Sequence, residues 1–440
     1  MAATTRRARQ RPRIARTAMA VAGAIVFSLP VTAAAQTIAI TGGRVFPVSG
    51  PPIDNATVLI RDGRIVAVGA NVTVPANAQR VDATGKWVTP GLIDAATQLG
   101  AVEIGAVPDT REASARGQDA VAAAFRVSDG LNPASVMITP ARNEGVTSVV
   151  VVPSGNLVSG QAAFIDLVHG SAHDMVAASP VAMVGEVGNK RAANVSARGE
   201  LLMRLRELLE DTRAYAQHRA AYEQGNTRSY RASRLDLDAM IPVVQGRLPL
   251  LVEADKASDI VAALDLAREF GLKIMIGGGA EAWMVADDLS RAHVPVLTGA
   301  MNNIPDAFAT LGQRQENAAL LQKAGVQVIL IGNAGGGDEE AFNVRNIKQE
   351  AGNAVAYGLP WDAALRAVTL APAEAFGVSD RYGSLAPGKV ANVVVWSGDP
   401  FEFTTRAEHV FVHGEEHREP SRQDMLTERY KTLPPDYDRP

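Results

Sequence analysis

The run VTSVVVV at residues 146–152 decides the fold. It is short and β-branched, and it lacks the strict alternation of a strand with one wet face, so it reads as a strand buried on both faces of a parallel sheet. The same texture returns at 250–252, 274–276, 294–297 and 326–331. The segment between two of these is well punctuated for a helix. Ser258 is placed as its N-cap, Ile260, Leu264, Leu266 and Ala267 give one apolar face, and Gly271 supplies the stop. Strand and helix units repeated in this way predict an α/β fold, a (β/α)8 TIM-like barrel, with its active site at the C-terminal ends of the strands. A doubly wound open sheet is the alternative, but no G-x-G-x-x-G or G-x-x-x-x-G-K-[ST] fingerprint follows any of these strands.

Outside that core the pattern changes to short extended runs. Residues 38–40, 58–60 and 65–68 are β-prone and separated by Gly42-Gly43 and Asp62-Gly63, the latter a hairpin signal. Near the other end a Pro/Gly turn at 384–388 leads into strands at 390–396 and 410–412. Two such segments bracketing a long middle predict one small β-sandwich domain built from both chain ends. The expected boundaries are a signal peptide at 1–35, the N-terminal part of the β-sandwich at 36–90, the barrel at 91–380, the C-terminal part of the β-sandwich at 381–418, and a polar tail at 419–440. Two further helices are expected. One lies at 200–224, inside an insertion at 185–247, with Leu202, Leu205, Leu208 and Leu209 on one face; the other is short, at 422–431, and ended by Pro434-Pro435.

The signal-peptide reading rests on six arginines up to Arg16 without an acidic residue, an apolar stretch at 18–29, and Ala33-Ala34-Ala35 before Gln36. It implies export to the periplasm or outside the cell. Without those six arginines the 43 basic residues fall to 37 against 47 acidic ones, a net charge of −10. That balance disfavours nucleic acid or an anionic membrane as partner. No cysteine is present, so disulfide and thiol chemistry are excluded. No stretch of the mature chain has the roughly 20 uninterrupted apolar residues of a membrane span.

The sequence GKWVTPGLIDAATQLG at 85–100 resembles the metal-dependent amidohydrolase superfamily, which carries V-x-P-G-L-I-D-x-H-x-H at the end of its first barrel strand. Gly42-Gly43-Arg44-Val45, the run IRDGRI at 60–65, GSLAPGK at 383–389 and VVVW at 393–396 resemble that family's opening and closing β-segments, most closely in its imidazolonepropionase-like branch. The resemblance implies hydrolysis of non-peptide carbon–nitrogen bonds, with zinc as the cofactor of intact relatives. The two motif histidines stand here as Ala96 and Gln98. The later ligand histidines correspond to Glu253 and Gly278, and the aspartate that activates water corresponds to Asn333. A methyl group has no lone pair for a metal, and asparagine takes no proton at neutral pH. The chain's seven histidines fall at none of these positions. A tail metal site from His409, His413 and His417 is disfavoured, because their spacing crosses a glycine turn.

Three readings follow from that substituted site. The barrel acts as a pseudoenzyme, binding a small-molecule ligand or serving as partner subunit to an intact relative or a second copy of itself. Alternatively, carboxylates near predicted strand ends, namely Glu186, Glu253, Asp255, Glu281 and the cluster Asp338-Glu339-Glu340, rebuild a hydrolase site around a hard cation or an acid/base pair, with Glu253 as the candidate ligand. In the third reading the glycine runs 277–279 and 335–337 cradle an anion. Serine catalysis has little support without a G-x-S-x-G elbow, and residues 156–161 are assigned to the pocket wall.

Overall fold

The computed structural model describes residues 37–432 apart from 118–119, 189–194, 302–304, 306 and 333–338. The predicted signal peptide and Pro434-Pro435 lie outside the described residues. β1 (Thr37–Val45) is followed by β2 (Ile53–Arg61) and β3 (Arg64–Gly69). Asp62 and Gly63 join the last two at φ of 51° and 72°, the left-handed pair that a two-residue hairpin turn requires. β4 (Gln79–Asp82) and β5 (Trp87–Pro90) then lead into the barrel.

The barrel strands are β6 (Leu92–Thr97), β7 (Val146–Val151), β8 (Val158–Asp166), β9 (Val176–Glu186), β10 (Leu250–Ala254), β11 (Ile274–Gly278), β12 (Val296–Thr298) and β13 (Val328–Leu330). They neighbour one another in sequence order. The two ends of the sheet meet where the Gly332 N–H donates to Asp94 Oδ2 at 3.1 Å. Each strand sends at least one buried side chain into a shared interior cluster, among them Ile93, Val150, Phe164, Val184, Leu251, Met275, Leu297 and Ile329. Their sequence neighbours, such as Leu92, Val149, Leu250 and Ile276, belong to the outer layer against the helices. That alternation is why the strands read as apolar on both faces.

One part of the barrel departs from the repeated strand and helix expectation. β8 runs antiparallel to both β7 and β9. Residues 152–157 are too few for a crossover helix, and a parallel return needs a dozen residues or more. The stretch assigned to a pocket wall is therefore in part a barrel strand. The helix after β10, Ala257–Phe270, also starts differently. Its N-cap is Lys256 and not Ser258, and the carboxylate of Glu281 takes over the capping role, accepting the Ala257 N–H at 3.0 Å. Gly271 closes the helix at φ 57° as expected. The insertion carries the helices Arg198–Gln217 and Arg219–Glu223, and Leu201 is buried where Leu202 was expected to be. No helix among the described residues is long and apolar enough to cross a membrane.

From the far end of the chain, β14 (Val393–Trp396), β15 (Ala407–Val412) and β16 (Glu415–His417) complete the second sheet. Its order is β16-β15-β14-β5-β1-β2-β3, with β4 on β1. Trp396 fixes it to the barrel. Its indole is fully buried among the barrel's outer-layer residues, and its Nε1–H donates within the second sheet to Thr89 Oγ1 on β5 at 2.9 Å. Gly145, at φ 89°, lies against that ring, and a Cβ added there would stand 2.7 Å from Trp396 Cζ2. Gly145→Ala is therefore expected to destabilise by about 2 kcal/mol or more, through backbone strain and overpacking together. Urea unfolding checks this.

A second junction is polar. Asp166, at the end of β8, is 1% exposed. Ser148 Oγ donates to its Oδ1 at 2.6 Å and Asn392 Nδ2 at 3.1 Å. Tyr382 Oη donates to Oδ2 at 2.6 Å, and His413 Nε2 lies 2.6 Å from the same oxygen. Strands from barrel and second sheet thus share one buried carboxylate.

Candidate functional site

The interior rows of β9, β10 and β11 continue, two residues on, into the C-terminal mouth of the barrel. Val184 is followed on that face by Glu186, Leu251 by Glu253, and Met275 by Gly277. Glu253 is the register partner of Glu186 on β9 and of Gly277 on β11. Parallel in-register neighbours share a face, so the two glutamates stand side by side at the rim. Both are half-buried. Glu186 Oε1 accepts the Gly188 N–H at 2.8 Å, which turns the chain back over the rim.

The glycines of 277–279 make room for these acids. A Cβ at Gly277 would stand 2.7 Å from Glu253 Cδ, and one at Gly278, where φ is 79°, would stand 2.5 Å from Asp255 Oδ1. Asp255 Oδ1 also accepts the Ala280 N–H at 3.3 Å. Carboxylates occupy the space over the glycine turn, so an anion cradle at 277–279 is replaced by an acidic wall. Glu281 has a different role, holding the Ala257 N–H with one oxygen and the Gly312 N–H with the other at 3.1 Å. It ties a loop to a helix start.

On β6, Ala96 is half-buried against the interior cluster. Gln98 is buried just beyond it and donates from Nε2 to Ser154 Oγ at 3.0 Å. Asn156 donates from Nδ2 to Ala115 O at 2.6 Å, fixing the turn before β8. Asn333, Asp338 and the glycines 335–337 lie outside the described residues, and of Glu339 and Glu340 only their place in the helix Glu339–Phe342 is described. The tail histidines have separate partners: His409 pairs with Glu416 at 2.7 Å and His413 with Asp166, while His417 faces His169.

Two supporting residues escaped the sequence reading. Asn317, 2% exposed, donates to Gly279 O at 3.0 Å and to Thr298 Oγ1 at 3.3 Å, and it accepts the Trp283 N–H at 3.1 Å. Glu350, equally buried, accepts the N–H groups of Ala300 and Met301 at 2.6 and 2.8 Å. Both hold loops that follow β11 and β12. Nothing in their sequence neighbourhood marks them, because their partners are distant backbone groups. A groove of about 980 Å³ opens at the opposite ends of the strands, beside Arg247, Pro249, Lys273, His293 and Pro295. We place the candidate site at the mouth nonetheless, because function in barrels of this kind is built on the loops after the strands.

With barrel, second sheet and mouth in view, residues 208–417 match the amidohydrolase family. The chain carries an amidohydrolase-family domain. It is similar to an amidohydrolase from Thermotoga maritima MSB8, with a TM-score of 0.79 and 28% identity over 87% of this chain and all of that one. Amidohydrolase tasK of Hapsidospora irregularis is 26% identical over 394 residues, which is 81% of this chain and 39% of that protein. The chain therefore spans well under half of that relative's length. Imidazolonepropionase of Acidiphilium cryptum is 24% identical over 80% of this chain and 89% of its own length.

Proposed function

We propose that this chain is an exported hydrolase of the amidohydrolase family that acts on non-peptide carbon–nitrogen bonds through a carboxylate-furnished barrel mouth. The observation that carries the reading is Glu253 beside Glu186 on neighbouring strands, with Gly277 and Gly278 clearing space for Glu253 and Asp255. The names of the relatives support the bond class. Export rests on the basic and apolar segments before Gln36.

The zinc centre implied by the family does not fit these residues. Ala96 offers no donor atom, and the Gln98 amide is engaged with Ser154. Oxygen donors from carboxylates suit a hard cation such as magnesium or manganese better than zinc. Without any metal, a carboxylate at the rim accepts a proton from water as the water oxygen attacks the amide carbon, and the proton passes to the departing nitrogen as the C–N bond breaks.

The absence of an imidazole at 96 and 98 favours a second reading, in which the barrel binds a ligand or an intact relative without turnover. Elemental mass spectrometry of the mature protein, expressed with zinc and manganese and then desalted, separates the two when paired with a fluorogenic assay of the amine released from a panel of linear and cyclic amides. Amine release at a rate above the buffer blank supports the hydrolase, with near-stoichiometric manganese placing a cation at the mouth. No amine release and no metal rejects it in favour of the binding reading.

A further inference from the structure

We propose that His169, His417 and Glu419 form a divalent-metal site at the junction of the barrel and the second sheet, apart from the mouth. His169 follows β8, His417 ends β16, and Glu419 comes two residues later. His169 Nε2 stands 2.8 Å from Glu419 Oε1, and His417 Nδ1 stands 3.5 Å from the same oxygen. One donor atom from each residue lies within 4.8 Å of the others. Two imidazole nitrogens and a carboxylate oxygen at such separations can face a single ion while leaving a position for water.

A second observation points to a ligand there. His417 is 3% exposed, and neither of its ring nitrogens has a hydrogen-bond partner. A buried imidazole with both nitrogens unsatisfied is uncommon, and a metal ion answers it. The ligand carboxylate is itself fixed from behind. Arg142 Nη2 donates to Glu419 Oε2 at 2.8 Å while Nη1 holds Leu167 O at 2.9 Å, and Asn143 Nδ2 donates to Glu419 O at 3.2 Å. Such outer partners orient ligands in metal sites.

The donor set selects the ion. Two imidazoles with one carboxylate favour zinc, cobalt or nickel over magnesium and calcium. Arg142 Nη2 also lies 3.3 Å from His169 Nε2, and this neighbouring positive charge weakens cation binding, so micromolar affinity is expected. The ion would clip the loop after β8 to the end of β16.

The test uses the full mature chain without a histidine tag. Cobalt is titrated while its visible ligand-field band is followed, and zinc affinity is measured by competition with a chromogenic chelator. One equivalent of cobalt with nitrogen-type absorption is expected, displaced by zinc. His169→Ala removes an exposed ligand and leaves the buried packing of His417 in place, so the variant should fold normally by circular dichroism. It should bind at least about tenfold more weakly. The oxygen-only mouth does not produce that band, so failure of the hydrolase reading leaves this result untouched. No cobalt band at about 100 µM metal, or undiminished affinity in His169→Ala, overturns the proposal.

Discussion

Asp166→Ala is expected to lower the unfolding free energy by about 3–5 kcal/mol, which is a large share of the roughly 5–15 kcal/mol that holds a domain folded. The carboxylate has contact with Ser148, Tyr382, Asn392 and His413, all between 2.6 and 3.1 Å. Removing it leaves donors from both sheets without their shared acceptor, and each buried donor without an acceptor costs about 1–3 kcal/mol. Asp166→Asn keeps the volume and one acceptor oxygen, so a smaller loss of about 1–2 kcal/mol is expected. Urea unfolding followed by tryptophan fluorescence reads both. A loss below about 1 kcal/mol in the alanine variant would mean that water substitutes for the carboxylate.

The same cluster gives stability a pH dependence of defined sign. The hydrogen bond to Asp166 raises His413 above its ordinary value of 6.5, against the opposing effect of burial. A group raised in the folded state lends stability that is complete below its unfolded pKa and is lost as pH rises through the folded one. Loss is therefore expected to begin near pH 6.5. Its size is modest, since the His413 side chain is 45% exposed and solvent screens the pair. Tyr382 repeats the pattern at higher pH. Burial, then the charge of Asp166, raises its phenol above the ordinary 10.0, so stability falls again as unfolded tyrosine ionises beyond pH 10. In Asp166→Asn the first decline should disappear, which denaturation midpoints measured between pH 5 and pH 9 would reveal.

The barrel could be read from residues because its strands advertise themselves by burying both faces, as in the 146–152 run. β8 could not. Its SGQ segment at 159–161 interrupts the apolar pattern, and its place in the sheet depends on the shortness of the preceding loop and on pairing with distant strands. Helix starts failed for a related reason. The donors at the start of Ala257–Phe270 face Glu281, which lies beyond the next strand, so no local cap was needed. At the mouth, the substitutions at 96 and 98 were plain in the sequence, but the meaning of Gly277 and Gly278 was not. Glycine in a turn is compatible with an anion cradle or with a neighbour needing room, and only the positions of Glu253 and Asp255 distinguish them.

That room makes Glu253→Gln the sharpest probe of the site. Glutamine is nearly isosteric, so it fits the space over Gly277 without new overlap, and the melting temperature should move by less than about 2 °C. What changes is charge and proton affinity. An amide binds a hard cation poorly and cannot serve as a base, so turnover of any amide substrate should fall at least 100-fold, the usual contribution of a positioned acid or base. Glu281→Gln gives the opposite signature, because its two backbone bonds hold a helix start and a loop. One of its acceptors becomes an NH2 group facing an N–H donor, and the expected result is a loss of about 1–2 kcal/mol in stability. Steady-state kinetics with thermal melts on the two variants separates the roles: a Glu253→Gln protein with unchanged turnover would remove the carboxylate pair from the chemistry and leave the barrel mouth as a binding surface.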